Sequence, residues 1–214
     1  KSKKTKSINF IKKLIFMLIT KNNNLFFVLA VIMGFVVILS NYLVQFPVYY
    51  YGLQEILTYG AFSYPITFLI TDLANRAYGK FAAKKIINIG FLIGILLTLI
   101  FSTNFLDLIS IRIAIGSGIA FLVAQNVDVQ IFDKLRKNKK WFVAPLASSV
   151  VGSFIDTFLF FSISFYNTEV PWATLALGDL TIKFLISLTM LVPFRILLFK
   201  IKDVSDKTLL YKKN

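Results

Sequence analysis

Six ionisable residues stand inside long apolar stretches of this 214-residue chain: Asp72, Arg112, Asp128, Asp156, Asp179 and Lys183. Acids and bases in such surroundings can pair to fix the register of neighbouring helices, carry a proton, or present hydrogen-bonding groups to a polar ligand. Spacing separates the options. Asp72 and Arg76 are four residues apart, as are Asp179 and Lys183, so each pair would share a helix face and is predicted to interact. Arg112 is predicted to reach Asp179 or Asp156. Asp156 has no basic residue one helical turn away, which makes it the leading candidate for a carboxylate that faces a ligand.

Polar uncharged residues gather beside these groups. Ser40, Asn41 and Gln45 come first, then Gln125 and Asn126 before Asp128, then Ser148, Ser149, Gly152 and Ser153 before Asp156. Asn41 and Gln45 share a helix face and are costly to bury, which suits ligand contact. Gly152 and Ser153 fit close helix packing first, with Ser153 also a candidate contact. Gln125 joins Asp72, Arg76, Arg112, Asp128, Asp179 and Lys183 as a gating or coupling candidate.

The elements that must hold these groups follow from composition. Apolar residues make up 57% of the chain and charged residues 16%, and the mean hydropathy is +0.74. Soluble domains carry about a quarter charged residues. A helix needs about 20 apolar residues to cross the bilayer, and six such spans are predicted: 25–46, 59–77, 85–103, 108–128, 142–166 and 172–199. The fold class is all-α and polytopic. The transmembrane domain covers 25–199, after a basic segment 1–24 and before a basic tail 200–214. Residues Ile8–Ile19 read as an interfacial helix on anionic lipid, with a flexible basic tail as the alternative. The apolar run Leu25–Leu39 is not followed by a small-residue cleavage site, so it reads as a span and not a signal peptide. Pro65 and Pro145 are expected to kink or unwind the second and fifth spans.

The distribution of charge orients the bundle. Of the 24 Lys and Arg residues, 22 fall in the N-terminal segment, after span 2, after span 4 or at the C-terminal end, while the loops after spans 1, 3 and 5 carry only Glu55, Asp107 and Glu169. Basic loops face the cytoplasm, so both ends are expected inside, in the inner membrane. The same rule accounts for the net charge of +14 without any nucleic-acid partner. Phe46, Tyr49, Tyr50, Tyr51, Tyr166 and Trp172 would form the outer aromatic belt.

Enzyme chemistry has little to stand on. There is no cysteine and no histidine, so the usual metal ligands and nucleophile–base pairs are missing, and neither a metal nor a cofactor is expected. Ala176-Leu177-Gly178-Asp179 lacks the first glycine of the intramembrane aspartyl protease signature, and no phosphate-binding loop is present.

A series of short motifs, in order and spacing, carries a resemblance. They are Ser40-Asn41-Tyr42-Leu43-Val44-Gln45-Phe46-Pro47, Gly60-Ala61-Phe62-Ser63-Tyr64-Pro65, Thr71-Asp72-Leu73 with Arg76, Arg112-Ile113-Ala114, Asp128-Val129 with Phe132, Leu135-Arg136, Trp141 through Pro145, Asp156-Thr157, and Asp179 with Lys183. Over about residues 38–195 the chain resembles the bacterial queuosine-precursor transporters of the vitamin uptake transporter (VUT) family. The resemblance implies import of 7-deazaguanine bases, by a secondary transporter, for tRNA modification. Such a base offers N1–H and a 2-amino group side by side, and one carboxylate can accept both. On that reading Asp156 takes the donor edge, Asn41 and Gln45 meet the carbonyl or ring nitrogens, and Phe62 or Tyr64 stacks on the ring. Arg112 and the Asp179–Lys183 pair then form an outer gate or coupling network. Two other readings stay open: a substrate-binding subunit that borrows an ATPase, and a structural membrane protein without a ligand. A bundle this small is also compatible with a homodimer.

Overall fold

A computed structural model of the protein describes residues 22–101 and 103–199. The interfacial helix expected over Ile8–Ile19 and the basic tail lie outside the described residues. Seven α-helices follow one another: α1 (Asn22–Leu43), α2 (Gly60–Ser63), α3 (Ile66–Tyr78), α4 (Lys80–Phe101), α5 (Leu108–Leu135), α6 (Val143–Phe165) and α7 (Trp172–Leu198). Among the described residues there is no strand, only an isolated antiparallel bridge between Pro47 and Thr58. The protein is an all-α, polytopic membrane protein. Helices α1, α4, α5, α6 and α7 are each long and apolar enough to cross a membrane.

The second expected span takes a different form. It is delivered in two pieces, the single turn α2 and the 13-residue α3, separated at Tyr64 and Pro65. Proline has no amide hydrogen and its ring crowds the preceding turn, so the helix breaks there. Pro145 behaves otherwise: it sits in the first turn of α6, where its missing N–H would have no intrahelical acceptor anyway. Helix α6 therefore starts at Val143 and runs through Pro145 without a break. Helix α5 runs seven residues past the predicted end of its span, to Leu135, because Asp133 bonds Arg136 there at 3.2 Å and the polar last turns reach past the apolar layer.

Charge asymmetry separates two ends of the bundle. At one, Arg76 of α3 donates to the Arg136 carbonyl at 3.4 Å, and Arg195 of α7 lies over the Trp141 ring at 5.0 Å. Here α3 and α4 are joined by Gly79 alone, at φ 84° and ψ 173°, a conformation open to glycine but strained for other residues. At the opposite end the α1–α2 loop folds back on the bundle: Tyr59 N donates to the Phe46 carbonyl at 3.0 Å and Val48 N to the Leu57 carbonyl at 3.0 Å. The same end holds the start of α5, capped by Asp107, whose side chain accepts from Ile109 N and Ser110 N.

Helices α1 and α4 approach closely through glycine. A Cβ on Gly90 would overlap Met33, and one on Gly94 would sit 2.7 Å from Val37. Small residues permit this approach where lipid offers no hydrophobic drive for helix association. The main apolar core joins α1, α3, α4 and α5 through Met33, Phe68, Ile86, Ile87 and Phe121, and the polar residues gather on the other side of α3 and α5.

Candidate functional site

Lys183 is the centre of the first polar cluster. It is 3% exposed, and its Nζ lies 2.8 Å from Asp156 Oδ2 and 2.6 Å from Asp179 Oδ2. It also donates to Thr157 Oγ1 at 3.1 Å, while that hydroxyl donates to Asp179 Oδ2 at 2.7 Å. Asp179 and Lys183 are one turn apart on α7, as their spacing required, and α6 brings Asp156 and Thr157 across to them. The ammonium also sits 4.9 Å from the centroid of the Tyr64 ring, a favourable cation–π distance. Two carboxyls thus share one ammonium.

One oxygen of that acid pair is left over. Asp156 Oδ1 is buried without a hydrogen-bond partner, and so is the hydroxyl of Tyr64, which lies beside Asp156. A buried acceptor and donor in this condition each cost about 1–3 kcal/mol. Both line one cavity, together with Ser40, Asn41, Ser117, Phe160 and Lys183. The cavity measures about 30 Å³, room for a water molecule but not for a heterocyclic base. In this conformation the cavity is too small for such a ligand, which binds only if the cavity widens.

The break in the second span positions Tyr64. Because α2 ends at Ser63 and α3 starts at Ile66, Tyr64 points inward while Phe62 remains 45% exposed. The Ser63 hydroxyl meets Ser40 of α1 at 2.8 Å, and Asn41 donates to Thr98 of α4 at 3.0 Å. On the far side Gly178 carries α7 against the α1–α2 loop, where a Cβ would overlap the Ile56 carbonyl.

A second cluster lies about two turns from the basic end. Asp72 of α3 and Asp128 of α5 lie side by side with the Ser148 hydroxyl of α6 close to both, and Ser148 donates to Asp72 Oδ1 at 3.1 Å. Both oxygens of Asp128, fully buried, have no donor. Above this pair Gln125 bridges to α3: it accepts from Thr71 at 2.5 Å and donates to Thr67 at 2.8 Å. Below it Asn75 donates to the Val129 carbonyl at 3.0 Å.

Several predicted contacts do not form. Asp72 meets Ser148 and Asp128 instead of Arg76, whose guanidinium turns to the Arg136 carbonyl at the basic end. Arg112 reaches neither Asp156 nor Asp179. It donates to the carbonyls of Ile163 at 3.0 Å and Tyr166 at 2.7 Å, closing the C-terminal end of α6, where a cation is favoured by the helix dipole. Gln45 lies beyond the end of α1, exposed, and donates to the Asn41 carbonyl. Ser153 is buried one turn before Asp156, with its hydroxyl unpartnered, in the seam between α6 and α7 and outside the cavity lining. Thr157, Ser117 and Phe160 were not singled out as ligand contacts. Phe160 was within reach of the sequence, since it lies one turn after Asp156 on the same helix face.

A multi-pass helical membrane protein with a charged, enclosed polar site inside its bundle is built like a carrier of small polar solutes. The comparisons with known proteins make this specific. Residues 58–198 match the family described as "Putative vitamin uptake transporter", and the chain belongs to that family. Among its curated relatives, the "Queuosine precursor transporter" of Escherichia coli (strain K12) is 34% identical over 189 residues, which covers 79% of this chain and 85% of that protein. The "Probable queuosine precursor transporter" of Haemophilus influenzae is 38% identical over 155 residues, 64% of this chain and 66% of the relative. That of Bacillus subtilis is 28% identical over 183 residues, 75% and 79% of the two chains. No solved structure matches.

Proposed function

We propose that the protein imports queuosine precursors of the 7-deazaguanine class, as a secondary transporter without enzymatic activity of its own. On this reading the chain has six spans, counting α2–α3 as one, with both ends in the cytoplasm and the bundle in the inner membrane, an orientation that the basic loops support. The observation that supports the substrate reading is Asp156 Oδ1, buried at the cavity beside the Tyr64 hydroxyl, with no well-formed hydrogen bond to it.

The chemistry is specific. The N1–H and 2-amino group of the base donate to Asp156, while the Tyr64 hydroxyl donates to an acceptor on the ring. When substrate takes both oxygens of Asp156, Lys183 stays neutralised by Asp179, so binding leaves no ammonium unpaired in the membrane. Adenine lacks this paired donor edge and would leave Asp156 unsatisfied, a strong basis for rejection. Asn41 and Phe160 complete the lining. Gln45 and Phe62, both exposed, enter the site only if the α1–α2 loop and α2 move inward.

The test is thermal stability of the purified full chain with 7-cyano- and 7-aminomethyl-7-deazaguanine, queuine, guanine and adenine. Ligands of a folded protein raise its melting temperature by linkage. Stabilisation by the deazaguanines and none by adenine is expected, with the effect lost in Asp156→Asn. Equal stabilisation of that variant would refute the role of Asp156.

A further inference from the structure

The second cluster has no place in substrate binding, since neither Asp72 nor Asp128 lines the cavity. It nevertheless breaks the rule that charge buried in a membrane is paired with opposite charge. Asp128 is 0% and Asp72 1% exposed. The ionisable groups that act on the two carboxyls are each other. Around them α3 turns Arg76 away to the Arg136 carbonyl, α4 packs Ala83, Ile86 and Ile87 into apolar core, and α6 supplies the Ser148 hydroxyl. That hydroxyl is shared between Asp72, at 3.1 Å, and the Pro145 carbonyl, at 3.3 Å. In the upper cluster, by contrast, Asp156 and Asp179 both pair with Lys183.

Two touching carboxylates cannot both be ionised while the cluster stays shut away from water, so the shared proton leaves only when water from the cytoplasmic side reaches the pair. A proton between them turns one into a donor and gives Asp128 the partner it otherwise lacks. Among the described residues no group of three or more metal-ligating side chains occurs, whereas two touching carboxyls suffice for a proton. The position suits exchange with the interior: Asp128 is seven residues, about 10 Å, from the end of α5 at the basic face. The pair also spans α3, α5 and α6, the helices that carry Tyr64 at the α2–α3 break, Ser117 and Asp156. Its protonation therefore bears on the packing of the same helices that must separate for substrate to enter.

We propose that Asp72 and Asp128 form the proton site of this transporter, holding one proton between them on the way in and releasing it to the cytoplasmic side, so that substrate import is driven by the proton gradient. This rests on the transport reading above. The neutral 7-cyano base gains nothing from the membrane potential, so its accumulation above equilibrium needs a co-transported ion. The balance is one proton carried inward per transport step, with the acid pair returning to its starting state after reprotonation from outside.

The experiment uses the full chain in proteoliposomes with radiolabelled 7-cyano-7-deazaguanine. An acid-outside gradient should drive accumulation above equilibrium, a sodium gradient at equal pH should not, and added substrate should acidify the lumen. Asp128→Asn and Asp72→Asn, each able to keep one amide–carboxyl hydrogen bond, should lose gradient-driven accumulation yet retain substrate exchange between equilibrated compartments and ligand-induced thermal stabilisation. Accumulation by both variants at the wild-type level, or driving by sodium alone, overturns the proposal while leaving the transport reading intact. Absence of both exchange and stabilisation in the wild type overturns the transport reading and this proposal with it.

Discussion

The two buried polar clusters of this bundle solve the same problem in opposite ways. At mid-bundle, two acids enclose a lysine, and hydroxyl and aromatic groups fill most of the remaining contacts. Near the basic end, two acids face each other with a single serine hydroxyl and no cation. The first arrangement tolerates ionised groups because one ammonium bonds both carboxyls and neutralises one of the two negative charges. The second is compatible with burial only if a proton is present. A charge-compensated cluster can exchange one hydrogen-bonding partner for a ligand, and an uncompensated one is suited to exchange a proton. The difference assigns distinct tasks to sites that look alike in sequence, each an aspartate within an apolar span.

The largest expected effect tests compensation directly. Lys183→Met removes the shared ammonium and leaves Asp156 and Asp179 facing each other. Breaking a buried ion pair by removing one partner costs about 3–5 kcal/mol, so this variant should show strongly reduced folded yield and a lowered melting temperature in detergent. Asp128→Asn, which removes a charge from a cluster that has no cation to strand, should be far milder. If the two variants were equally stable, the contrast between the clusters would fail. Next in size is the functional counterpart, Asp156→Asn. Its folded yield should stay near wild type, since Asn can still accept from Lys183, while uptake falls by about a hundredfold or more because the amide cannot accept two donors from the base. Uptake and yield measured side by side separate this from unfolding.

Much of this arrangement is legible in the sequence, for identifiable reasons. The helical spans follow from apolar length, and the separation of basic from non-basic ends follows from the loop charges, which the contacts at Arg76–Arg136 and Arg195–Trp141 gather at one end. Asp179–Lys183 is legible because helix geometry alone brings residues four apart together. Asp72–Arg76 satisfies the same spacing rule and still fails, because a neighbouring helix offers Arg76 a carbonyl nearer the polar surface, where a guanidinium is less costly. Contacts between helices carry no spacing signal. Nothing in one chain's pattern says that Asp72 meets Asp128, 56 positions away, or that Arg112 caps α6 in place of reaching an acid. Phe62 and Tyr64 are a subtler case: two residues apart in helical backbone, they are about 200° apart around the axis and face opposite ways, but nothing in the sequence says which of them faces the core.

Arg112 offers a prediction of intermediate size. Its guanidinium holds the carbonyls of Ile163 and Tyr166 at the end of α6, so Arg112→Gln should cost about 1–2 kcal/mol of stability, the range of a charge-assisted cap. The affinity for substrate should be unchanged at temperatures where the variant is folded. A changed affinity with unchanged stability would move Arg112 back to the gate.

The smallest effect is expected where two aromatic residues of one motif are compared. Tyr64 is 7% exposed, lines the cavity and lies under Lys183, whereas Phe62 is 45% exposed and absent from the cavity lining. Tyr64→Phe keeps the ring and its cation–π contact but removes the hydroxyl, so it should weaken substrate binding by about tenfold, the worth of one buried hydrogen bond, without lowering the melting temperature of the free protein. That temperature is expected to rise slightly, since the hydroxyl is unsatisfied in the closed conformation. Phe62→Leu keeps an apolar surface toward lipid and should leave both binding and stability within experimental error. Thermal titration with 7-cyano-7-deazaguanine measures all four quantities. A binding loss in Phe62→Leu as large as that in Tyr64→Phe would mean that α2 rotates inward when the cavity opens and brings the second ring onto the base.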